Sequence, residues 1–284
     1  MLYRLNRLFN SVSGRALDVA VDHGLFGEAS FLAGIEDMPR VVTTLVDAGP
    51  DAIQLSPGQA PLLQHIGGKS KPALVLRADI ANVYGDPLDH HLFSVHFPDA
   101  IEQAVRFDAA AVCVNLLQLP ERPEVREACI RSIMALRAAA ASCGMPVMIE
   151  PLVMQETSVG GGYLVDGDTD KIVSLVRQAR ELGADLIKAD PTAQIEDYHR
   201  VVEAAGGVPL LVRGGGRVPD NELLSRTAAV LEQGASGIVY GRKVIQHPRP
   251  AALVAALMGL LHDGLSVEEA GQLISVGAAG TTPS

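Results

Sequence analysis

The feature that most constrains the fold of this 284-residue chain is a series of eight short apolar runs rich in β-branched residues. The runs lie at residues 16–22, 52–56, 73–78, 109–115, 146–152, 184–189, 208–213 and 237–241. Their starts are roughly 20 to 40 residues apart, the length of one strand and helix unit. Near-continuous apolar strands that alternate with helices are typical of parallel sheets covered by helices, so the series predicts an α/β fold.

Amphipathic helix patterns occupy the segments between these runs. Apolar residues recur at helical spacing over 125–136, after the fourth run, and over 172–182, after the fifth. Gly183 follows the second pattern and predicts a C-terminal cap. Eight such units in about 250 residues predict a (β/α)8 TIM barrel that forms a single domain over residues 1–284. An open doubly wound sheet is the alternative.

Shorter elements are predicted outside the eight units. Residues 1–15 are expected to contain a short helix before the first strand. A last helix is expected from Ser266 to about Ile274, and residues 277–284 should form a frayed tail.

Residues 86–98 are predicted to form a long loop after the third strand. The loop contains three histidines, His90, His91 and His96. Because their spacing is irregular and completes no familiar ligand motif with the nearby aspartates, no metal site is predicted. A solvated loop or a subunit contact is the favoured interpretation.

Charge and composition limit the partners of the chain. The sequence has 33 acidic and 23 basic residues and a net charge of −10, which disfavours a nucleic-acid or anionic-membrane partner. A local basic pocket can still bind a small anion. No signal core and no run of about 18 apolar residues occur, so no membrane segment is predicted. Cys113, Cys129 and Cys143 are interpreted as reduced core residues of a cytoplasmic protein.

Only one of the lysines lies inside a strand-like apolar run. Lys188 ends the sixth run, directly after Leu186 and Ile187. An ammonium in that position loses hydration, and such desolvation lowers the pKa of a lysine. The neutral amine can then attack a carbonyl, so Lys188 is the candidate nucleophile.

The active site of such a barrel lies at the C-terminal ends of its strands. The polar or glycine residues expected there are Asp22, His23, Gln54, Ser56, Arg77, Asp79, Asn115, Glu150, Lys188, Arg213, Gly241 and Arg242. Glu150 is the candidate acid and base, and its apolar neighbours are expected to raise its pKa. Asp22 is a second carboxylate that orients substrate or assists dehydration. The alternative is that Lys188, Glu150 and Asp22 form a structural ion-pair network.

Glycines and basic residues follow the seventh and eighth runs. Because glycine lets backbone N–H groups approach an anion, these segments predict a phosphate site. Its expected residues are Arg213, Gly214, Gly215, Gly216, Gly241 and Arg242, with Ser56 and Arg77 as further substrate-binding residues. A second glycine run at 160–162 lacks a basic neighbour and is expected to be a mobile loop.

Four sequence pieces resemble the class I aldolases of the DeoC/FbaB/LacD superfamily. They are AVDHG at 20–24, LIK at 186–188, GGGR at 214–217 and GASG at 234–237, and the resemblance extends from about residue 10 to 275. The resemblance implies that Lys188 carries a Schiff base and that Asp22 matches the family aspartate of strand one. It also implies that the glycines after strands seven and eight bind substrate phosphate, and that the protein is a homo-oligomer.

Two positions depart from the archaeal pattern of this superfamily. Glu150-Pro151 stands where archaeal-type enzymes have a tyrosine before proline, an arrangement similar to the tagatose-type enzymes. This supports Glu150 as the acid and base. Arg213 stands where relatives carry a small residue, and it can bind a further anionic group or lower the pKa of Lys188.

The predicted function is that of a metal-independent class I aldolase, a lyase that needs no cofactor. Its expected substrate is a phosphorylated ketose or related sugar, or the matching aldehyde and ketone. One alternative is a transferase of the same family that acts on a phosphorylated keto-sugar, of the LsrF-like thiolase or ulosonate synthase type. Another is a non-catalytic sugar-phosphate binding protein.

Overall fold

The computed structural model describes residues 1–85, 88–156, 163–214 and 218–276. Its barrel strands are β1 Ala16–Ala20, β2 Ala52–Leu55, β3 Ala73–Arg77, β4 Ala111–Gln118, β5 Val147–Glu156, β6 Leu186–Ala189, β7 Leu210–Arg213 and β8 Gly237–Tyr240. Each strand pairs in parallel with the next, and β8 pairs with β1, so the sheet closes. The predicted (β/α)8 barrel is therefore confirmed, and the open sheet is excluded.

Helices follow the strands and cover the outside of the barrel. Their bounds are α1 Leu2–Leu5, α2 Met38–Ala48, α3 Ala60–His65, α4 Ala100–Arg106, α5 Pro123–Cys143, α6 Thr169–Glu181, α7 Tyr198–Ala205, α8 Asp220–Glu232, α9 Arg242–Ile245, α10 Pro250–Met258 and α11 Val267–Val276. The apolar faces predicted for α5 and α6 are buried. Gly183 follows α6 with a φ of 88°, as expected for a C-terminal cap.

Two short antiparallel pairings extend the strands on their C-terminal side. Asp79–Ala81 pairs with Ser94–His96, so part of the segment that we predicted to be a long loop forms a hairpin. Tyr163–Val165 pairs with the end of β5. These pairings satisfy backbone groups that leave the barrel.

The predictions for the chain ends and the cysteines are confirmed only in part. α1 has four residues, and α11 ends at Val276. The predicted tail at 277–284 and the glycine run at 160–162 lie outside the described residues. Cys143 is exposed at the end of α5, so our assignment of it to the core is wrong, because the last turn of this helix faces solvent.

Alternate residues of each strand face two different hydrophobic cores. On β1, Leu17 and Val19 belong to the outer core between sheet and helices, whereas Ala16 and Ala20 belong to the inner core. Leu8 of the N-terminal segment also packs in the inner core, which is rich in alanine. Apolar packing therefore fills the N-terminal half of the barrel and leaves its C-terminal half to polar side chains. None of the helices in the described ranges is long and apolar enough to cross a membrane.

The closure between β8 and β1 depends on Gly237. Its φ is +144°, and an added Cβ would lie 2.0 Å from the carbonyl oxygen of Ala16. Because only backbone movement can relieve this clash, we expect Gly237→Ala to lower the free energy of unfolding by about 2 to 4 kcal/mol in urea denaturation. Gly58→Ala is the matched control, since its added Cβ meets no atom within 4 Å. Equal losses in the two variants would contradict this role of Gly237.

Candidate active site

A cavity at the C-terminal ends of the strands brings most of the predicted site residues together. Its floor contains Asp22, Arg77, Glu150 and Lys188. One wall consists of Arg213, Gly214, Gly241, Arg242 and Lys243, and the other of His23, Phe26, Phe31 and Tyr84. The site thus lies where the fold class places it.

Lys188 faces the inside of the barrel and is almost completely buried. Its neighbours Ile187 and Ala189 pack in the outer core, which turns the lysine side chain inward. The side chain of Lys188 is 4% exposed, and its Nζ lies 3.1 Å from Oε1 of Glu150. The same nitrogen lies 3.5 Å from Oε1 of Gln54. A buried amine beside a carboxylate at an open cavity is suited to attack a carbonyl carbon.

Three cations surround the carboxylate of Glu150. Its Oε1 lies 3.1 Å from Lys188 and 3.1 Å from Nε of Arg213, and its Oε2 lies 2.7 Å from Nη2 of Arg77. Burial by itself raises the pKa of Glu150, but Lys188, Arg77 and Arg213 outweigh it and hold the pKa well below its usual range. Our prediction of a raised pKa is therefore wrong, because these charges lie on other strands.

Arg77 joins the carboxylates of the cavity floor. Its Nε lies 2.6 Å from Asp22, its Nη2 2.7 Å from Glu150 and its Nη1 3.3 Å from Asp79. Nη1 also donates to the side-chain oxygen of Asn115 at 3.3 Å. Since these groups occupy the guanidinium, Arg77 organises the floor of the cavity.

Asp22 is held in one orientation by two donors. Nε2 of Gln54 and Nε of Arg77 each lie 2.6 Å from Oδ2 of Asp22. Burial acts to raise the pKa of Asp22, but Arg77 and then Lys188 lower it below its ordinary value. The group is therefore an oriented carboxylate in the cavity that contains Lys188.

Arg213 is paired with carboxylates of two other strand ends. Its Nη1 lies 2.8 Å from Asp190, and its Nε lies 3.1 Å from Glu150. Its side chain is 18% exposed and lines the cavity. Arg213 therefore fixes Glu150 while one edge stays accessible to an anion.

Two further cations have no ion-pair partner among the described residues. The guanidinium of Arg242 lies over the ring of Phe31 at 4.3 Å, and Nζ of Lys243 lies over the ring of Tyr240 at 5.1 Å. Burial, followed by the charge of Arg226, lowers the pKa of Lys243 to about 8. A bound anion would stabilise the charged form of this lysine, which belongs to the segment after β8 that the sequence predicts to bind phosphate.

The glycines beside these cations bring backbone close to the cavity. An added Cβ at Gly241 would lie 2.4 Å from the carbonyl oxygen of Ala20, and one at Gly214 would lie 3.0 Å from the ring of Tyr240. Larger residues would therefore clash. The predicted phosphate ligands Gly215 and Gly216 lie outside the described residues.

Aromatic rings form a second wall of the cavity, which adjoins the cationic one. The ring of Tyr84 lies 5.1 Å from that of Phe26 and 5.4 Å from that of Phe31, centroid to centroid. Tyr84 follows the hairpin strand after β3, and Phe26 and Phe31 lie in two 3₁₀ turns after β1. Sequence reasoning missed all three rings, since no motif surrounds them.

Ser56 lies apart from the cavity around Lys188. It lines a neighbouring depression together with Asp22 and Gln59. Its carbonyl oxygen accepts hydrogen bonds from the backbone of Gln59 and Ala60 at the start of α3. Ser56 therefore does not line the cavity that contains Lys188, although it shares the neighbouring depression with Asp22 of the cavity floor.

The described residues contain no group of three or more histidine, cysteine, aspartate or glutamate side chains arranged to hold a metal ion. His90 and His91 are exposed, and Nδ1 of His96 lies 3.1 Å from Oγ of Ser132. The three histidines of the segment after β3 thus do not converge.

A family model described as DeoC/LacD family aldolase matches residues 16–247. The chain belongs to this family. The family prediction drawn from the four sequence pieces is therefore confirmed. The residues that form the cavity floor and most of its walls lie inside the matched range.

Two curated members of the family are about equally similar to this chain. An uncharacterized aldolase of Saccharolobus solfataricus is 30% identical over 273 residues, which cover 94% of this chain and 96% of the relative. The 3-hydroxy-5-phosphonooxypentane-2,4-dione thiolase of Klebsiella pneumoniae is 30% identical over 272 residues, covering 96% of this chain and 84% of the relative. The relatives therefore differ in the reaction that their names state.

Solved structures support the fold. An archaeal fructose 1,6-bisphosphate aldolase superposes with a TM-score of 0.74 at 24% identity, covering 92% of this chain and 99% of the other. The shared architecture is the closed barrel described above.

Replacing Arg77 tests the charge network of the cavity floor. Arg77→Met leaves Asp22, Asp79 and Glu150 without their shared cation, so we expect a loss of about 3 to 5 kcal/mol in the free energy of unfolding at neutral pH. The loss should shrink as the pH falls below the usual range of a carboxyl group, because the unfolded chain then takes up the protons that Arg77 keeps off Glu150 and Asp22 in the folded wild type. Urea denaturation at several pH values measures both effects.

Arg131→Met is the matched control for this prediction. Arg131 forms an exposed ion pair with Glu127 on α5, so its removal should change the free energy of unfolding by less than about 1 kcal/mol. A loss from Arg77→Met that stayed below this limit would show that the network contributes little.

Proposed function

We propose that this protein is a metal-independent class I aldolase that acts on a phosphorylated ketose or related sugar through a Schiff base at Lys188. The observation that carries the proposal is the contact of 3.1 Å between Lys188 and Glu150, both buried at the floor of an open cavity. Family membership supports the same reaction class. The acidic composition and the cysteine usage favour a cytoplasmic protein, and we propose a homo-oligomer.

The first half of the reaction joins the substrate to Lys188. The neutral amine adds to the carbonyl carbon and forms a carbinolamine, which loses water to give an imine, and protonation of the imine nitrogen gives an iminium ion. Asp22 is placed to orient the carbinolamine hydroxyl, since two donors fix its carboxylate. The iminium withdraws electrons from the adjacent carbon, so the next carbon–carbon bond can break.

Glu150 supplies the proton transfers of the second half. Its pKa lies well below the usual range, so the group is a carboxylate at working pH. The electron-withdrawing iminium then drives transfer of the substrate hydroxyl proton to this carboxylate as the carbon–carbon bond breaks. Cleavage of the carbon–carbon bond leaves an enamine on Lys188 and releases an aldehyde. Glu150 then returns the proton to the enamine carbon, and hydrolysis of the iminium releases the ketone.

The two walls of the cavity support a substrate with a single phosphate. Arg242, Lys243 and the backbone at Gly214 and Gly241 form a cationic end, for which Arg213 offers one more edge. The adjoining wall has the rings of Phe26, Phe31 and Tyr84, with Phe31 under the guanidinium of Arg242, and offers apolar surface to the carbon skeleton of the substrate. The name of the Klebsiella pneumoniae thiolase likewise describes a compound with one phosphonooxy group.

A thiolase-type transferase is the second candidate, because a thiolase is among the relatives at 30% identity. The ulosonate synthase of Halobacterium salinarum, 28% identical over 269 residues, represents another transfer reaction. A non-catalytic sugar-phosphate binding protein accounts for the cationic wall. A binding protein of this kind would give no function to the buried contact between Lys188 and Glu150.

Trapping of the Schiff base tests the proposed function. Sodium borohydride with a panel of ketose monophosphates, ketose bisphosphates and aldehydes should add one covalent mass at Lys188, with monophosphates preferred. Lys188→Ala should abolish the adduct and lower turnover by at least about 10³-fold, because the nucleophile is lost. Intact mass and peptide mapping measure the adduct.

Lys171→Ala is the control, since Lys171 lies on the exposed surface of α6 and pairs with Asp166. It should form the adduct like the wild type, and EDTA should leave activity intact. Failure of every carbonyl compound to modify Lys188 would refute the Schiff-base function.

Coenzyme A separates the two enzyme candidates. With a phosphorylated 2,4-diketone as substrate, a thiolase transfers an acyl group to the thiol, whereas the proposed aldolase leaves coenzyme A unchanged. We expect no acyl-coenzyme A from the diketone above the Lys188→Ala background, whereas a ketose phosphate should undergo aldol cleavage, both measured by mass spectrometry. Formation of acyl-coenzyme A at a rate similar to that of aldol turnover would assign the thiolase reaction instead.

A further inference from the structure

Asp18 is a buried carboxylate inside the barrel that the proposed mechanism does not yet use. It lies on β1 and is 1% exposed. Its neighbours Leu17 and Val19 pack in the outer core, while Ala16 and Ala20 pack in the inner core. Since strand residues alternate, the side chain of Asp18 faces the interior of the barrel.

The strand pairings place Asp18 one layer below the lysine. Inward side chains of alternate strands form layers of four in such a barrel, because the strands are tilted and staggered. The hydrogen-bonded register leads from Lys188 through Leu211 and Gly237 to β1. In a barrel of eight strands and shear eight, a level plane advances one residue along each successive strand, so after three strands it crosses β1 one residue beyond Asp18. The layer of Asp18 therefore lies directly below that of Lys188. The other inward residues of the lower layer are Val75, Met148 and Leu211, all in the inner core.

Neither carboxyl oxygen of Asp18 has a hydrogen-bond partner among the described residues. Buried carboxylates are normally paired or hydrogen-bonded, so an unpartnered one requires an explanation. Asp22 and Glu150, which lie nearer the cavity, are both held by cations. Asp18 therefore differs from these two carboxylates, because no cation in direct contact holds it in its ionised form.

Burial raises the pKa of Asp18 to about 7, and the charge with the largest effect on it is that of Lys188. The other charged groups that face it are Asp22 from the end of β1, Glu150 from β5 and Arg77 from β3. The thiol of Cys113 on β4, in the lysine layer, stays protonated because burial raises its pKa. Asp18 can therefore exchange a proton near neutral pH.

Glu150 contacts Lys188 directly but is a poor acceptor for the lysine proton. Arg77 and Arg213 hold its negative charge, so a proton taken from the lysine would be given back at once. In this structure Nζ of Lys188 contacts Glu150 and not Asp18, so proton transfer to Asp18 requires the flexible four-carbon stem of the lysine to turn toward the lower layer. The acceptor with no competing cation in contact is the one in the layer below.

We propose that Asp18 is a catalytic residue that accepts the ammonium proton of Lys188 and later returns it to the imine nitrogen. The proposal rests on the Schiff-base function above. The ammonium gives one proton to the carboxylate, which leaves a neutral amine and a neutral carboxylic acid. The amine adds to the substrate carbonyl, and the carbinolamine loses water to give a neutral imine. Asp18 then protonates the imine nitrogen, so that an iminium ion faces a carboxylate.

The pH dependence of this step has a definite sign. Below the pKa of Asp18 the carboxyl already carries a proton and cannot accept another, so imine formation is slow. The rate should rise as the pH increases through about 7, where Asp18 becomes ionised. A purely structural role for Asp18 would not link its ionisation to the rate of imine formation.

The first experiment measures reduction of the imine at Lys188. Dihydroxyacetone phosphate and sodium cyanoborohydride are the probes, and intact mass follows the adduct from about pH 5.5 to 8.5. In Asp18→Asn the amide has the same shape but accepts no proton, so the rate at pH 8 should fall about tenfold or more and the rise near pH 7 should vanish. A wild-type rate with the same pH profile in this variant would overturn the proposal.

Asp51→Asn is the matched control for the first experiment. Asp51 precedes β2 at the opposite end of the barrel, where its Oδ2 lies 2.9 Å from Nε2 of His262. The substitution removes a largely buried carboxylate far from Lys188, so the pH profile of imine formation should stay as in the wild type. Loss of the rise near pH 7 in this control as well would count against a specific role for Asp18.

The second experiment requires no carbonyl compound. Infrared difference spectra between wild type and Asp18→Asn should show the C=O band of a protonated carboxylic acid that disappears as the pH rises through about 7. In Lys188→Met the midpoint should move to higher pH, because a nearby positive charge lowers the pKa of a carboxyl group. A band that is absent, or insensitive to Lys188→Met, would refute the coupling of the two residues. Failure of all carbonyl compounds to modify Lys188 would instead refute the proposed function.

Discussion

The candidate site depends on one buried interaction, the placement of Glu150 among Lys188, Arg77 and Arg213. Burying a carboxylate and three cations costs free energy that is recovered only when geometry and hydrogen bonding are nearly ideal. Here contacts of 2.7 and 3.1 Å join residues from four different strands. The closed barrel makes this possible, because it turns alternate side chains of every strand toward one axis. The same network keeps Glu150 ionised.

The barrel divides its interior into an apolar half and a polar half. Alanine-rich packing, completed by Leu8, fills the N-terminal side. The C-terminal side contains the network, and between the two lies Asp18, a carboxylate in an apolar layer directly below Lys188. At this boundary burial raises the pKa of Asp18, while the charge of Lys188 lowers it. The layered packing of the barrel therefore places a titratable carboxyl group directly below the candidate nucleophile.

The interactions within the site were the part that sequence reasoning described least well. Asp22, Glu150 and Lys188 were predictable because each lies at or near the end of an apolar run, and strand ends converge in this fold. The pKa of Glu150 was predicted in the wrong direction, since its immediate neighbours are apolar and its cations come from other strands. Tyr84 gave no signal, because its place in the wall depends on how the segment after β3 folds back.

The order of eight strands, the closed barrel and the lysine as candidate nucleophile follow from the chain read alone. Periodicity is a local property, and chain order decides which parallel strands become neighbours. The ionisation of Glu150, the unpartnered carboxyl of Asp18 and the division of the cavity into a cationic and an aromatic wall were decided by tertiary structure. Charges and rings act over a few ångströms in space, and the residues that supply them here are 20 to 130 or more positions apart in the chain, as Gln54 and Lys188 illustrate with 134.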